Sequence, residues 1–150
     1  MKKLLLISTI AFVCLSLKVD TKPSINDVMT EIKSQDILHD TIVLQQAMWE
    51  TGWMKRNNSC WRFNNLFGFR TKNHVREGNP KGYIEFDTWQ ESVAYYKRWQ
   101  IKHYDGIKNY LDFLNCLYIQ KGKCVSYAGS ESYTSNIIRC DVGSRLETTD

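Results

Sequence analysis

The sequence predicts an α+β fold, mainly α, in which one small β-element is inserted between helices. Three observations carry this reading. Apolar residues recur at helical spacing in separate stretches along the chain. Residues of helix-capping type stand just ahead of three of them, at Ser24, Asp40 and Thr88. Between the second and third stretches, Glu77-Gly78-Asn79-Pro80-Lys81-Gly82 supplies turn residues, and Tyr83-Ile84-Glu85-Phe86 supplies side chains that suit a strand.

Taken in order, Ser24 and Asp27 form a variant of the capping box, and Ile25, Val28, Met29 and Ile32 make the first helical stripe. A break at Ser34-Gln35-Asp36 follows. Asp40 is positioned to cap a second helix from about Thr41 to Thr51, ended by Gly52. Val43, Ala47, Glu50 and Met54 share its stripe. Glu50 is the odd member, a carboxylate on or beside the packed face. An apolar wall and the negative end of the helix dipole both disfavour its charged form and raise its pKa. Spacing alone equally allows an ordinary half-exposed helical Glu. Lys55 to Gly68 reads as a loop, polar but carrying Trp61, Phe63 and Phe67. Thr71 to Thr88 reads as a hairpin or small sheet. Thr88 with Glu91 is a capping box for a third helix, about Trp89 to His103, with Trp89, Val93, Tyr96 and Trp99 or Gln100 on one face. Gly106 separates it from a fourth helix, about Ile107 to Ile119, with Ile107, Tyr110, Leu111, Leu114 and Leu117 apolar. A short final helix covers Glu131 to Arg139, and the polar tail after Cys140 is expected to fray.

Residues 1–17 read as a signal peptide. Lys2 and Lys3 precede an apolar run from Leu4 to Val13, and small residues follow at Cys14-Leu15-Ser16. The run is short for a membrane span of about 20 residues; an uncleaved anchor is the alternative. An exported protein is therefore expected, in the periplasm, cell envelope or medium, with no stable membrane insertion after cleavage. Residues 18–150 fit one domain. With 43% hydrophobic and 13% aromatic residues, that domain has material for a single small core. The net charge of +4 falls to +2 without Lys2 and Lys3. Such a mild excess, with no basic run, argues against nucleic acid and suits weak attraction to an anionic polymer.

Cys60, Cys116, Cys124 and Cys140 form an even set once Cys14 leaves with the signal, so disulfides are expected in an exported chain. Four cysteines allow three connectivities. The short loop containing Lys121-Gly122-Lys123 favours Cys116–Cys124, with Cys60–Cys140 as the second bridge. No metal is expected, because there is no Cys-x-x-Cys pair and His39, His74 and His103 lack ligand spacing. No cofactor is expected either. The sequon at Asn57-Asn58-Ser59 is too short a pattern to carry an argument.

Two motifs then stand out. Ala47, Glu50, Thr51, Gly52 and Trp53 make an Ala-x-x-Glu-Thr-Gly-Trp run, and Asn65-Leu66-Phe67-Gly68 follows. Together they resemble the active-site segment of the glucosaminidase family of bacterial autolysins and flagellar peptidoglycan hydrolases. Phe86-Asp87-Thr88 with Ser92, and Tyr127-Ala128 with Tyr133, resemble further segments of that family, so the resemblance covers most of residues 18–150. It implies a lysozyme-like helical domain with a small β-hairpin lobe. Departures are Met54 after the Trp, Gly129-Ser130-Glu131 in the Tyr segment, and the Cys116–Cys124 loop, which looks like an addition.

The chemistry implied is cleavage of a β-1,4 bond between aminosugars, with peptidoglycan as partner and the protein acting as a monomer. The leaving oxygen needs a proton, and Glu50, kept protonated, is the candidate general acid. Glu77, in a turn, is the first candidate for a second acid and Glu85 the next; the substrate's own 2-acetamido group is the other option. The family implies a cleft-facing Tyr, matched best by Tyr127 and then Tyr133, whose alternative role is packing the last helix. Asn64 and Asn65 are candidates to bind an acetamido group, although Asn also suits turns. Phe67 and Trp61 are candidate sugar platforms; Trp53 is expected in the core. The linkage cut leaves a muramidase or lytic transglycosylase open, and a non-catalytic glycan-binding protein retaining the fold is the reading from another class.

Overall fold

The computed structural model describes residues 22–55, 58–129, 132–140 and 142. The expected signal segment 1–17, the start of the final helix at Glu131 and the tail beyond 142 lie outside the described residues. What is described is mainly helical, with one two-stranded antiparallel sheet. The helices are α1 (Ile25–Ser34), α2 (Asp40–Glu50), α3 (Ser59–Arg62), α4 (Trp89–His103), α5 (Tyr110–Asn115) and α6 (Tyr133–Ile138). The strands are β1 (Tyr118–Gln120) and β2 (Lys123–Val125).

Capping sets several of these boundaries. Ser24 and Asp27 make the reciprocal box that starts α1. Thr88 accepts from the Glu91 N–H to start α4, while the Glu91 carboxylate reaches one residue further back, to the N–H of Asp87. Asp40 does not cap α2 from outside. It is the first helical residue, its carboxylate accepts from the Thr41 N–H, and left-handed His39 precedes it. The short α3 was expected to be loop; Asn58 nucleates it by accepting from the Cys60 N–H at 2.8 Å.

The extent of the fourth helix and the place of the sheet are also corrected. The fourth helix is shorter than its apolar pattern suggests. Asn109 caps it by accepting from Leu111 N–H, which leaves Ile107 outside and 88% exposed. At its other end Cys116 is tied to Cys124 and the chain turns into β1. The regular sheet is also elsewhere than expected. Lys121 and Gly122 both adopt positive φ, the two-residue turn that suits a tight hairpin, and Gln120 pairs with Lys123 across it. The Thr71–Thr88 segment instead holds a 3-10 turn at Lys72–His74 and isolated bridges Arg70–Tyr83 and Arg76–Asn79. The pairing at Arg70–Tyr83 is carried by Thr71 N–H to the Gly82 carbonyl and Ile84 N–H to the Phe69 carbonyl. Asn79 braces the turn before it: its buried side chain donates to the Tyr83 carbonyl at 2.8 Å and accepts from the Tyr83 N–H at 2.9 Å.

The core gathers Val28 and Ile32 of α1, Val43, Leu44, Ala47 and Met48 of α2, Val93 and Tyr96 of α4, Phe113 and Leu114 of α5, and Ile137 of α6. Full burial of each larger aliphatic or Phe side chain here is worth about 1.5–3 kcal/mol. Helix α1 packs on α2 and α4, and α6 packs on α2 and α5. A polar chain runs through this interior. The Tyr96 hydroxyl donates to Gln46 Oε1 and meets the Tyr110 hydroxyl, and Gln100 Nε2 donates to Tyr110 Oη and to the Leu38 carbonyl. Among the described residues no buried side-chain polar atom lacks a partner, which is what makes such a chain tolerable in a core.

The cysteines divide unevenly. Cys116 and Cys124 form a disulfide across the hairpin, with Cα atoms 5.0 Å apart. Cys60 and Cys140 are buried free thiols, so the second expected bridge is absent. Each has a local partner instead: Cys60, at the start of α3, interacts with the Tyr83 hydroxyl, and Cys140 Sγ donates to the Asn136 carbonyl. Among the described residues no helix is long and apolar enough to cross a membrane, and no cluster of ligating side chains could hold a metal ion.

Candidate active site

Helix α2 delivers Glu50 as its last residue. The chain then makes a left-handed run at Gly52, Trp53 and Met54, with φ of 57°, 64° and 58°. Such a conformation costs a non-glycine residue roughly 1–2 kcal/mol. Thr51 holds the run together: its hydroxyl donates to the Ala47 carbonyl at 2.6 Å and accepts from the Met54 N–H at 3.1 Å. Glu50 is thereby fixed at a helix end instead of riding on a flexible loop.

Asn65-Leu66-Phe67-Gly68 brings the opposite wall. Asn65 is fully buried, and its amide donates to the Phe69 and Ile84 carbonyls and accepts from the Phe69 N–H. Leu66 and Phe67 are buried and anchor the turn in the core, Leu66 N–H donating to Ser92 Oγ and Phe67 packing on Tyr96 with ring centroids 4.3 Å apart. Gly68 then lies against the acid. A Cβ placed there would meet Glu50 Oε2 at 2.6 Å, and φ is +68°. Only glycine suits both conditions.

Glu50 and Gly68 open onto a cavity of about 310 Å³, also lined by Phe69, Arg70, Trp99, Leu117, Tyr127 and Ala128. Trp99 meets Tyr127 edge-on, centroids 5.2 Å apart, and Phe69 lies 6.0 Å from Trp99. Burial raises the Glu50 pKa above its ordinary value; a hydrogen bond with Tyr133 and the positive charge of Arg70 pull it back in part. Glu50 is the one carboxylate lining the cavity among the described residues. A protonated carboxyl on an aromatic-walled cleft can donate a proton to an oxygen bound there.

Comparison with known proteins decides what such a cleft belongs to. The family described as Glucosaminidase, mannosyl-glycoprotein endo-beta-N-acetylglucosaminidase, matches residues 25–140. The chain belongs to the Glucosaminidase family. No curated protein and no solved structure matched the chain. Membership makes it a glycoside hydrolase of the endo-β-N-acetylglucosaminidase type and, in general terms, a peptidoglycan hydrolase.

The residues singled out in the sequence of this glucosaminidase fall into two groups. Glu50 and Tyr127 line the cleft. Tyr127 donates to the Phe67 carbonyl at 2.7 Å, so its hydroxyl braces the glycine turn. Tyr133 is buried behind it, stacked on Tyr127, beside Glu50 and within reach of Gln46 Nε2. The others are not lining residues. Glu77 is exposed in the Arg76–Asn79 turn, and Glu85 is ion-paired with Arg76 at the surface. The Asn64 amide donates to the Phe86 and Asp87 carbonyls, and that of Asn65 is fully engaged with backbone, so both amides hold the turn. Phe67 is core, while Trp53 and Trp61 are half-buried at its edge. The aromatic walls are instead Phe69 and Trp99, which sequence reasoning missed. Trp99 was visible as part of the α4 stripe, and Phe69 stood one residue beyond the motif. Arg70 was also missed; nothing in its local sequence marks it.

Proposed function

We propose that this glucosaminidase is an exported peptidoglycan hydrolase that cuts the β-1,4 bond on the reducing side of N-acetylglucosamine in the glycan strand, with Glu50 as general acid. One observation carries the reading: a carboxyl whose pKa is raised by burial, held against Gly68 at an aromatic-walled cleft within the family's matched segment. Glu50 gives its proton to the glycosidic oxygen as the bond to the anomeric carbon breaks. A single lining carboxylate among the described residues suits assistance by the substrate. The carbonyl oxygen of the 2-acetamido group then bonds to the anomeric carbon. Water, deprotonated by the Glu50 carboxylate, subsequently opens the cyclic intermediate and restores the acid. The signal-like residues 1–17 and the Cys116–Cys124 bridge support export, since disulfides persist in oxidising compartments.

The test is digestion of peptidoglycan by the mature protein and by Glu50→Gln, with fragment ends identified by mass spectrometry. Wild type is expected to release new reducing N-acetylglucosamine ends, and the variant to lose about 10²–10⁴-fold in rate while keeping its fold. Full activity of the folded variant would overturn the assignment. Anhydro ends or reducing muramic ends would replace it with a transglycosylase or a muramidase. Binding without cleavage by wild type would leave a glycan-binding protein.

A further inference from the structure

Arg70 stands in the cleft wall without an obvious reason in the acid chemistry. Its positive charge favours the ionised form of Glu50, which opposes the proton-donating first step and suits only the second, in which the carboxylate takes a proton from water. Yet it is held in place with some care. Its guanidinium lies over the Tyr83 ring, Cζ 4.9 Å from the centroid, and Nη2 donates to the Tyr83 hydroxyl at 3.2 Å. Tyr83 is itself buried and clamped by Asn79. Among the described residues no carboxylate lies within ion-pair distance of Arg70, whereas Arg76 nearby in sequence does find one in Glu85.

The surroundings make this charge the dominant one in the cleft. The other titratable groups that interact with Glu50 are Tyr133 of α6, which hydrogen-bonds it, and Tyr127 and Cys60, which feel its charge. All three are uncharged near neutral pH, since burial raises both Tyr hydroxyls well above their ordinary value and pushes the Cys60 thiol up to about 11. With Glu50 protonated for catalysis, the described lining residues carry one formal charge, that of Arg70. A planar guanidinium, fixed on a buried ring and lacking a carboxylate of its own, is built to receive one.

We propose that Arg70 is a specificity residue that binds a carboxylate of the glycan substrate. The inference rests on the peptidoglycan reading above. A peptidoglycan strand offers such a group in two places: the lactyl ether of muramic acid where the peptide stem has been removed, and the stem's own carboxylates where it has not. A strand of N-acetylglucosamine alone offers none. Binding also resolves the conflict with Glu50, because a bound carboxylate offsets the pull of the Arg70 charge on the acid. With an anionic substrate, the alkaline limb of kcat therefore lies at higher pH than that of kcat/KM, and with a neutral substrate the two limbs stay closer.

Three substrates separate the possibilities: neutral N-acetylglucosamine oligomers, stem-free peptidoglycan strands and stem-bearing strands. In Arg70→Gln the preference for anionic over neutral substrate is expected to fall about 10- to 100-fold, mostly through KM, with Arg70→Lys partly restoring it. The separation between the two alkaline limbs is expected to disappear with it. A fall confined to stem-free strands assigns the lactyl carboxylate, and one confined to stem-bearing strands assigns the peptide. An equal loss on neutral and anionic substrates would overturn the inference and leave Arg70 a structural or pKa-setting group. Calorimetric binding of the same strands to Glu50→Gln, with and without Arg70→Gln, is read in parallel. Equal affinities would overturn the inference even if wild type cleaved nothing, whereas failure of the peptidoglycan reading shows as absent cleavage by wild type.

Discussion

Gly68→Ala puts a methyl group where the Glu50 carboxyl now sits, and its consequences can be worked from two distances and one angle. The new Cβ would lie 2.6 Å from Oε2 and 3.0 Å from Cδ of Glu50. Ordinary contact is roughly 3.5 Å, so the carboxyl must retreat by about 1 Å. It is the end of a flexible side chain and moves cheaply, so the clash adds little to the cost in stability. The backbone adds about 1–2 kcal/mol, because φ is +68° and Ala resists the left-handed region. For a domain of this size the melting temperature is expected to fall about 3–10 °C. Activity responds differently, since a general acid displaced by about 1 Å loses on the order of 100-fold in kcat. Gly106→Ala is the matched control. Its φ is +79°, and no heavy atom lies within 4 Å of the added Cβ, so it carries the backbone cost alone. Thermal melts and turnover of glycan strands, measured on both variants, are expected to show similar melting temperatures and kcat values about two orders of magnitude apart. Equal kcat values would refute the placement of Glu50 against Gly68. A far larger drop in melting temperature for Gly68→Ala would show that the turn, and not the acid, gives way.

Two further outcomes follow from the same structure. The Glu50 pKa is raised in the folded state, so its contribution to stability is fully present below the ordinary value of 4.5 and is lost as pH rises through the folded value. Glu50→Gln lacks this dependence. It is expected to melt above wild type near pH 7, with the gap closing below about pH 4.5; a gap of constant size in a pH series of melts would contradict the burial of the acid. Replacing Cys116 and Cys124 together by Ala removes a link spanning 8 residues, worth about 2.5 kcal/mol from chain entropy. Because Leu117 and Tyr127 flank that hairpin and line the cleft, a several-fold rise in KM is expected as well. Unchanged KM in a steady-state assay would separate the hairpin from the cleft.

Local signals in the sequence were readable where one interaction decides the outcome. The Ser24 box and the span of α4 follow from a cap and a stripe, and Glu50 on the packed face follows from steps of four and three. Irregular backbone is where reading stopped. Phe67 points inward and Phe69 lines the cleft, although both sit in one short turn, because Asn65 fixes that turn through side-chain bonds that no periodicity encodes. The turn before Tyr83 is likewise set by side-chain bonds, those of Asn79, and only isolated bridges form there. Ile107 has the right spacing for α5, but Asn109 competes as a cap and wins. Arg70 acquires its character from Tyr83, thirteen residues along the chain, and neither residue alone announces the pair.

The unequal fates of the cysteines bear on how the chain reaches its oxidised form. In the folded protein Cys60 and Cys140 are buried, and burial raises both thiol pKa values, so few thiolates exist to attack the hairpin bridge. Before folding, all four thiols of the domain are available and mispairing is open to them. Cys116 and Cys124 are the closest pair in sequence; the next shortest spacing, Cys124 to Cys140, is twice as long and costs about 0.6 kcal/mol more to close. That margin is small, so the order of events matters more than the spacing. Oxidation before collapse scrambles part of the population, whereas collapse first hides the two spare thiols and leaves a single pair to react. Preparations of this protein should therefore be refolded under reducing conditions and oxidised afterwards.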